Sequence, residues 1–240
     1  MEAVINGIFP TPIYISKLDK ELTPLELKFV DKNKKDFYKN DGNITSNNNY
    51  ILNEKPFLNI KKELNFFKKK EENTYKIIGN ISSLNTYVLN EPIFKNLKKE
   101  IDLIIKDYFN KIICPKNNIV PYITQSWLNY TDENQFHHKH CHPNSLISGV
   151  LYINADEKND KIIFFNEIHE TIEIEKINYN LFNSKSWWFP VKTGNLILFP
   201  SNLKHMVEVK KGSNTRTSLA FNVFIKGKIG NNRKLTELIL

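Results

Sequence analysis

The sequence predicts a mainly β protein whose first half adds helices packed on the outside of the sheets. Three observations lead there. From about residue 123 onward, short β-branched and aromatic segments recur between turn residues. Ahead of that point, apolar residues recur at helical spacing. And although only 40% of the 240 residues are hydrophobic, 16 Phe, 10 Tyr and 3 Trp supply enough large apolar side chains for a real core.

The elements follow in order. Thr23-Pro24-Leu25-Glu26 places a cap residue, a proline at the first helical position and a carboxylate three residues after the cap. Leu27, Val30 and Phe37 or Tyr38 then line one face of that helix. The polar run Asn40–Asn49 reads as a loop. Phe57, Ile60, Leu64 and Phe67 recur at helical spacing after Pro56. The clearest helix starts at Pro92, carries Ile93, Leu97, Ile101, Ile104, Ile105 and Tyr108 on one stripe, and closes at Cys114-Pro115.

Strands are expected over Ile123–Tyr130, Phe136–His142, Leu146–Asn154, Lys161–Asn166, Thr171–Ile177, Trp187–Val191, Asn195–Pro200, His205–Val209 and Thr217–Lys226. Such a series of short, closely spaced strands builds an antiparallel sandwich or barrel. With no internal repeat and no flexible linker, one domain over 1–240 is expected: a mostly helical support over 1–122, the β part over 123–227 and a C-terminal tail over 228–240.

Composition removes several functions. No stretch approaches the ~20 apolar residues of a membrane span, and Met1-Glu2-Ala3-Val4 does not begin a secretory signal. Cys114 and Cys141 are the only cysteines, too few for a disulfide scaffold or a cysteine zinc knuckle. A soluble, cytoplasmic protein without membrane attachment is expected. The net charge of +8 suggests a polyanion partner, yet of 34 basic residues only Arg216 and Arg233 are arginine. Base and phosphate readers rely on the two-pronged guanidinium. The lysines therefore read as a solvated surface, and nucleic acid is not an expected partner.

The chemistry concentrates in the β part. Four of six histidines, His137, His138, His140 and His142, lie within six residues. On an extended strand His138, His140 and His142 share one side and His137 takes the other, so loss of His137 is expected to matter little. Two imidazoles at i and i+2 can reach one metal ion, with His205 as the distant third. The rival reading is a surface histidine cluster. Arg216 leads an alternating strand in which Ser218 and Ala220 share its face, and an arginine there suits a carboxylate through two parallel hydrogen bonds. Trp187-Trp188-Phe189 either lines a substrate mouth or belongs to a core.

His140-Cys141-His142-Pro143-Asn144-Ser145, Ser148-Gly149-Val150-Leu151-Tyr152, Leu198-Phe199-Pro200-Ser201 followed by His205, and Arg216-Thr217-Ser218-x-Ala220-Phe221-Asn222 together resemble the iron(II)/2-oxoglutarate-dependent dioxygenases. More narrowly they resemble a branch with prolyl-hydroxylase-like features found in bacteria and their phages. Ile8-Phe9-Pro10-Thr11-Pro12 and Trp127-x-Asn129 add to the likeness.

The resemblance implies a double-stranded β-helix of the jelly-roll, cupin-like kind, open at one end, with helices outside. It implies Fe(II), 2-oxoglutarate as co-substrate and O2, and hydroxylation of a C–H bond in a protein residue, amino acid or small metabolite. The cytoplasm would be the host's if a phage encodes the chain. His140, His142 and His205 would hold iron. Arg216 would bind the far carboxylate of 2-oxoglutarate, with Ser218 and Tyr152 beside it and Asn129 or Tyr130 as weaker candidates for the same pocket. Most relatives place Asp where His142 stands, so this site would carry more positive charge. The substrate is expected to be a small molecule or peptide, and a homodimer is compatible with such a chain. Two alternatives remain. One is a cupin-type three-histidine enzyme that needs no 2-oxo acid, and the other a non-enzymatic basic β-barrel binding protein.

Overall fold

The computed structural model describes residues 4–39, 78–167, 172 and 174–240. The expected loop at Asn40–Asn49 and the helix through Phe57 and Phe67 lie outside the described residues, as does His169.

Two helices start and stop where local chemistry dictates. Helix α1 spans Pro24–Asn33. Glu26 Oε2 accepts from the Thr23 backbone N–H at 2.7 Å while Thr23 Oγ1 accepts from the Glu26 N–H at 3.3 Å, closing a reciprocal cap. The chain does not continue this helix to Phe37 and Tyr38, which enter a short strand, β2 (Phe37–Lys39). Pro92–Phe94 forms a 3-10 turn that leads into helix α2, Lys95–Tyr108. Leu97, Ile101, Ile105 and Tyr108 of α2 are buried, each contributing about 1.5–3 kcal/mol of transfer free energy. A wider π turn over Phe109–Ile113 ends it, with Cys114 left-handed at φ 47°.

The β part is one winding of eight strands. They are β5 (Ile119–Thr131), β6 (Gln135–His140), β7 (Ile147–Asn154), β8 (Lys161–Phe165), β9 (Ser186–Pro190), β10 (Asn195–Pro200), β11 (His205–Val207) and β12 (Arg216–Ile229). One sheet has the neighbour order β10-β7-β12-β5 and the other β6-β11-β8-β9. The chain therefore crosses between sheets at almost every turn, which is the double-stranded β-helix. The first 122 residues, expected to be mostly helical, also extend the sheets. β1 (Tyr14–Lys17) pairs with β10, and β4 (Ile81–Ser83) pairs with β5 and β2. β3 (Ile78–Gly79) runs parallel to β6. At the other end, β13 (Leu238–Ile239) folds back on β12, so the expected tail is partly paired. The strand expected over Thr171–Ile177 does not form at its described residues.

Alternation along the strands divides the molecule into two interiors. Leu219, Phe221, Val223 and Ile225 of β12, with Leu128 and Tyr130 of β5 and Ile147, Leu151 and Ile153 of β7, face the helices and join one large core. Tyr130 donates its hydroxyl to the Val30 carbonyl of α1 at 2.5 Å, so it serves this core and not the pocket for which it was a candidate. On the other side of the same sheet, Tyr152, Ile197 and Phe199 meet Ile162 and Phe164 of the second sheet.

Gly149 of β7 lies beneath the Phe221 ring, and a Cβ there would overlap the ring carbons. Phe221 is fully buried and pairs with Gly149 across the strands, so it has nowhere to move. Gly149→Ala is expected to cost about 1–3 kcal/mol by overpacking, read from a denaturant midpoint.

Candidate metal and co-substrate site

The inward faces of β5, β6, β7, β11 and β12 enclose a cleft, with histidines and an arginine among its lining side chains. Alternation on β12 sends Arg216, Ser218 and Ala220 into it, and Asn222 Oδ1 accepts from His142 Nδ1 at 2.6 Å. Register then fixes the neighbours. Ser218 sits opposite Asn129 on β5 and Tyr152 on β7, so the three expected to accompany Arg216 form one row across the sheet. Asn129 is held by Ser82, which donates to its Oδ1 at 2.7 Å.

His140, His142 and His205 each offer a ring nitrogen within 4.8 Å of the others. His140 and His205 are direct cross-strand partners, with ring centroids 4.3 Å apart. His142 lies beyond the end of β6, where its backbone N–H donates to the Ser201 carbonyl at 2.9 Å. That tie keeps the imidazole near the strand although the strand itself stops two residues short of the expected boundary.

Each of the three rings is oriented by its second nitrogen. His140 Nδ1 meets the His138 carbonyl at 2.7 Å and His205 Nδ1 meets the Leu203 carbonyl at 3.0 Å. A carbonyl only accepts, so Nδ1 carries the proton and the Nε2 lone pair is free. The Asn222 contact does the same for His142. Burial is the first cause that lowers all three ring pKa values, followed for His140 and His205 by neighbouring imidazoles, and it takes His140 down to about 3. Neutral imidazoles with fixed tautomers and converging lone pairs fit a divalent ion of the iron or zinc kind.

The His137 register differs from expectation. A step of two residues along β11, from His205 to Val207, is matched by a step of three along β6, from His140 to His137. The extra residue is a β-bulge, which breaks the alternation and turns His137 to the side of His140. Their rings stack with centroids 4.4 Å apart, and His137 lines the cleft.

Near Arg216 the site holds charges that the sequence did not mark. Arg216 is 4% exposed, and Asp160 and Lys210 are 1% exposed each. Asp160 Oδ1 lies 3.4 Å from Arg216 Nη1 and 3.5 Å from Lys210 Nζ. Its other oxygen accepts from the Asp156 N–H at 2.8 Å. Lys210 also donates to Asn214 Oδ1 and to the Lys211 carbonyl, at 2.8 and 2.7 Å. Two buried cations thus share one carboxylate, an arrangement suited to one further anion. Asp160 reads in sequence as a turn residue and Lys210 as one lysine among 32. Only the fold brings them to Arg216. Trp188, by contrast, is 53% exposed under Lys161 and does not line this cleft.

Residues 125–222, less than half of the chain, match the model of a family described as "Putative 2OG-Fe(II) oxygenase". The matched stretch is similar to a 2OG-Fe(II) oxygenase. It runs from β5 to β12 and contains every cleft residue named above. Oxygenases of this family use iron(II) and 2-oxoglutarate. No curated protein matches.

Among solved structures, an oxidoreductase of the 2OG-Fe(II) oxygenase family from Burkholderia pseudomallei is similar at 12% identity and TM-score 0.44. The alignment covers 68% of this chain and 76% of that one. HygX from Streptomyces hygroscopicus, with nickel and 2-oxoglutarate bound, is similar at 12% identity and TM-score 0.42, over 84% and 87% of the two chains. A mutant oxalate decarboxylase from Bacillus subtilis is similar at 13% identity and TM-score 0.33, over 65% and 28%.

Asp160→Ala would leave Arg216 and Lys210 buried without their carboxylate. Loss of one member of a buried ion cluster costs about 3–5 kcal/mol, so the protein is expected to unfold at a clearly lower denaturant concentration. An unchanged midpoint would show that the cluster is not holding these charges.

Proposed function

We propose that the protein is an iron(II)- and 2-oxoglutarate-dependent dioxygenase that hydroxylates a C–H bond of a small molecule or of a residue in a peptide. One observation carries the reading. A single cleft is lined both by three oriented imidazoles and by a buried guanidinium, the two fixed points that a chelating 2-oxo acid with a far carboxylate requires.

In this reading His140, His142 and His205 hold the iron through Nε2, and Asn222 and the His138 and Leu203 carbonyls keep each ring aimed. When bound, iron(II) supplies O2 activation, in which 2-oxoglutarate becomes succinate and CO2 and one oxygen atom enters the substrate C–H bond. Arg216 receives the far carboxylate through paired hydrogen bonds. Ser218, Tyr152 and Asn129 form the polar row beside it, and Asp160 with Lys210 fixes the guanidinium from behind. Burial keeps the Tyr152 hydroxyl protonated, so it can donate to that carboxylate. The buried Arg216 favours this reading over a cupin-type enzyme, which does not require it.

Two measurements test it. Arg216→Lys keeps the charge but loses the planar fork. Its affinity for 2-oxoglutarate should fall by about 1.5–3 kcal/mol, which is roughly tenfold to 150-fold. Anaerobic titration of iron-loaded protein reads this from the metal-to-ligand charge-transfer band, and absence of any band in the wild type would overturn the co-substrate assignment. Separately, His205→Ala should abolish stoichiometric iron, measured as bound metal after anaerobic desalting. Full iron content in that variant would remove His205 from the site.

A further inference from the structure

The iron site proposed above uses three imidazoles and leaves two more beside it. His137, His138 and His140 also each offer a ligand nitrogen within 4.8 Å of the others. Ring centroids lie 4.4 Å apart for His137 and His140, 4.9 Å for His138 and His140, and 5.2 Å for His137 and His138. The bulge in β6 creates this second trio, because regular alternation would separate His137 from His140. His138 contributes an independent sign of a missing ligand: its Nδ1 is buried and has no hydrogen-bond partner. A buried polar atom of this kind normally finds one.

The chemistry of the donors selects the ion. The trio contains no carboxylate or thiolate. A metal takes up imidazole only in its neutral form, so His137 and His138 would both enter as neutral ligands. Three neutral imidazoles and a water make a four-coordinate site that suits zinc, and nitrogen donors bind zinc more tightly than iron(II). His140 belongs to both trios, yet it has one lone pair to give, since its Nδ1–H is committed to the His138 carbonyl at 2.7 Å. One His140 cannot serve two ions at once.

We propose that His137, His138 and His140 form a second divalent-metal site, of zinc type, that is mutually exclusive with the iron site because both require His140. The proposal rests on the His140/His142/His205 reading of the iron site. A zinc-class ion held by the second trio removes one ligand from the first, so it opposes iron loading without occupying the iron position. The β6 bulge is then a metal-selection device, in which the same strand offers His140 to either of two neighbouring ion positions.

Cobalt(II) is the probe, read from its visible d–d bands on the full-length chain, with circular dichroism to check folding. The wild type should bind one equivalent. The double variant His142→Ala/His205→Ala should still bind one equivalent with four-coordinate bands, and adding His138→Ala should weaken cobalt at least tenfold. In the reciprocal variant His137→Ala/His138→Ala, which leaves the iron trio intact, the zinc concentration that releases half of the bound iron should rise at least tenfold. No cobalt in His142→Ala/His205→Ala, beside one equivalent in the wild type, would overturn the second site and leave the iron site standing. Two equivalents in the wild type would overturn the exclusivity. No cobalt in the wild type would overturn both sites together.

Discussion

Strand β12 is paired along both edges, with β5 on one side and β7 on the other, so its side chains can point only to the two faces of the sheet. The rest of the molecule depends on that restriction. Leu219, Phe221, Val223 and Ile225 weld the sheet to α1 and α2. Arg216, Ser218, Ala220 and Asn222 reach the cleft or the histidine beside it. A one-residue slip would exchange the two sets, placing an arginine against the helices and Phe221 in the cleft. Core and site therefore enforce one another's register. Gly149, which leaves room for the Phe221 ring, is part of the same constraint.

The two ends of the cleft use burial in opposite ways. At the histidine end, loss of water disfavours charge and leaves neutral imidazoles whose lone pairs converge. At the arginine end, burial also opposes the charge on Arg216, but the Asp160 carboxylate acts to retain it. A guanidinium remains charged under such conditions where other groups would yield. The result is a pocket with neutral metal ligands on one side and fixed positive charge on the other, a polarity suited to an anionic chelator.

The sequence and the tertiary structure contributed different things. Local chemistry written in adjacent residues was legible: the Thr23–Glu26 cap, the stripe of α2, the strand Asn195–Pro200, and the alternation that places Ser218 and Ala220 with Arg216. The motifs also brought His140, His142, His205, Tyr152 and Asn129 forward as one set, and they meet in one cleft because their spacing is tied to strand pairing. Less legible were the short strands of the first half, which are paired because an edge of the sheet is there to receive them and not because their sequences demand it.

By itself the sequence determined the fold class, the face of each regular strand and the chemical types in the site. Only the tertiary structure decided which of the neighbouring histidines share a side, because a bulge arises from how β6 is matched against β11 and leaves no mark in the residues of β6 alone. It also decided that Asp160 and Lys210 belong to Arg216, since their charge relation exists through space across 56 and 50 residues of chain. Periodicity reports what one segment prefers, whereas register and charge pairing are properties of two segments together.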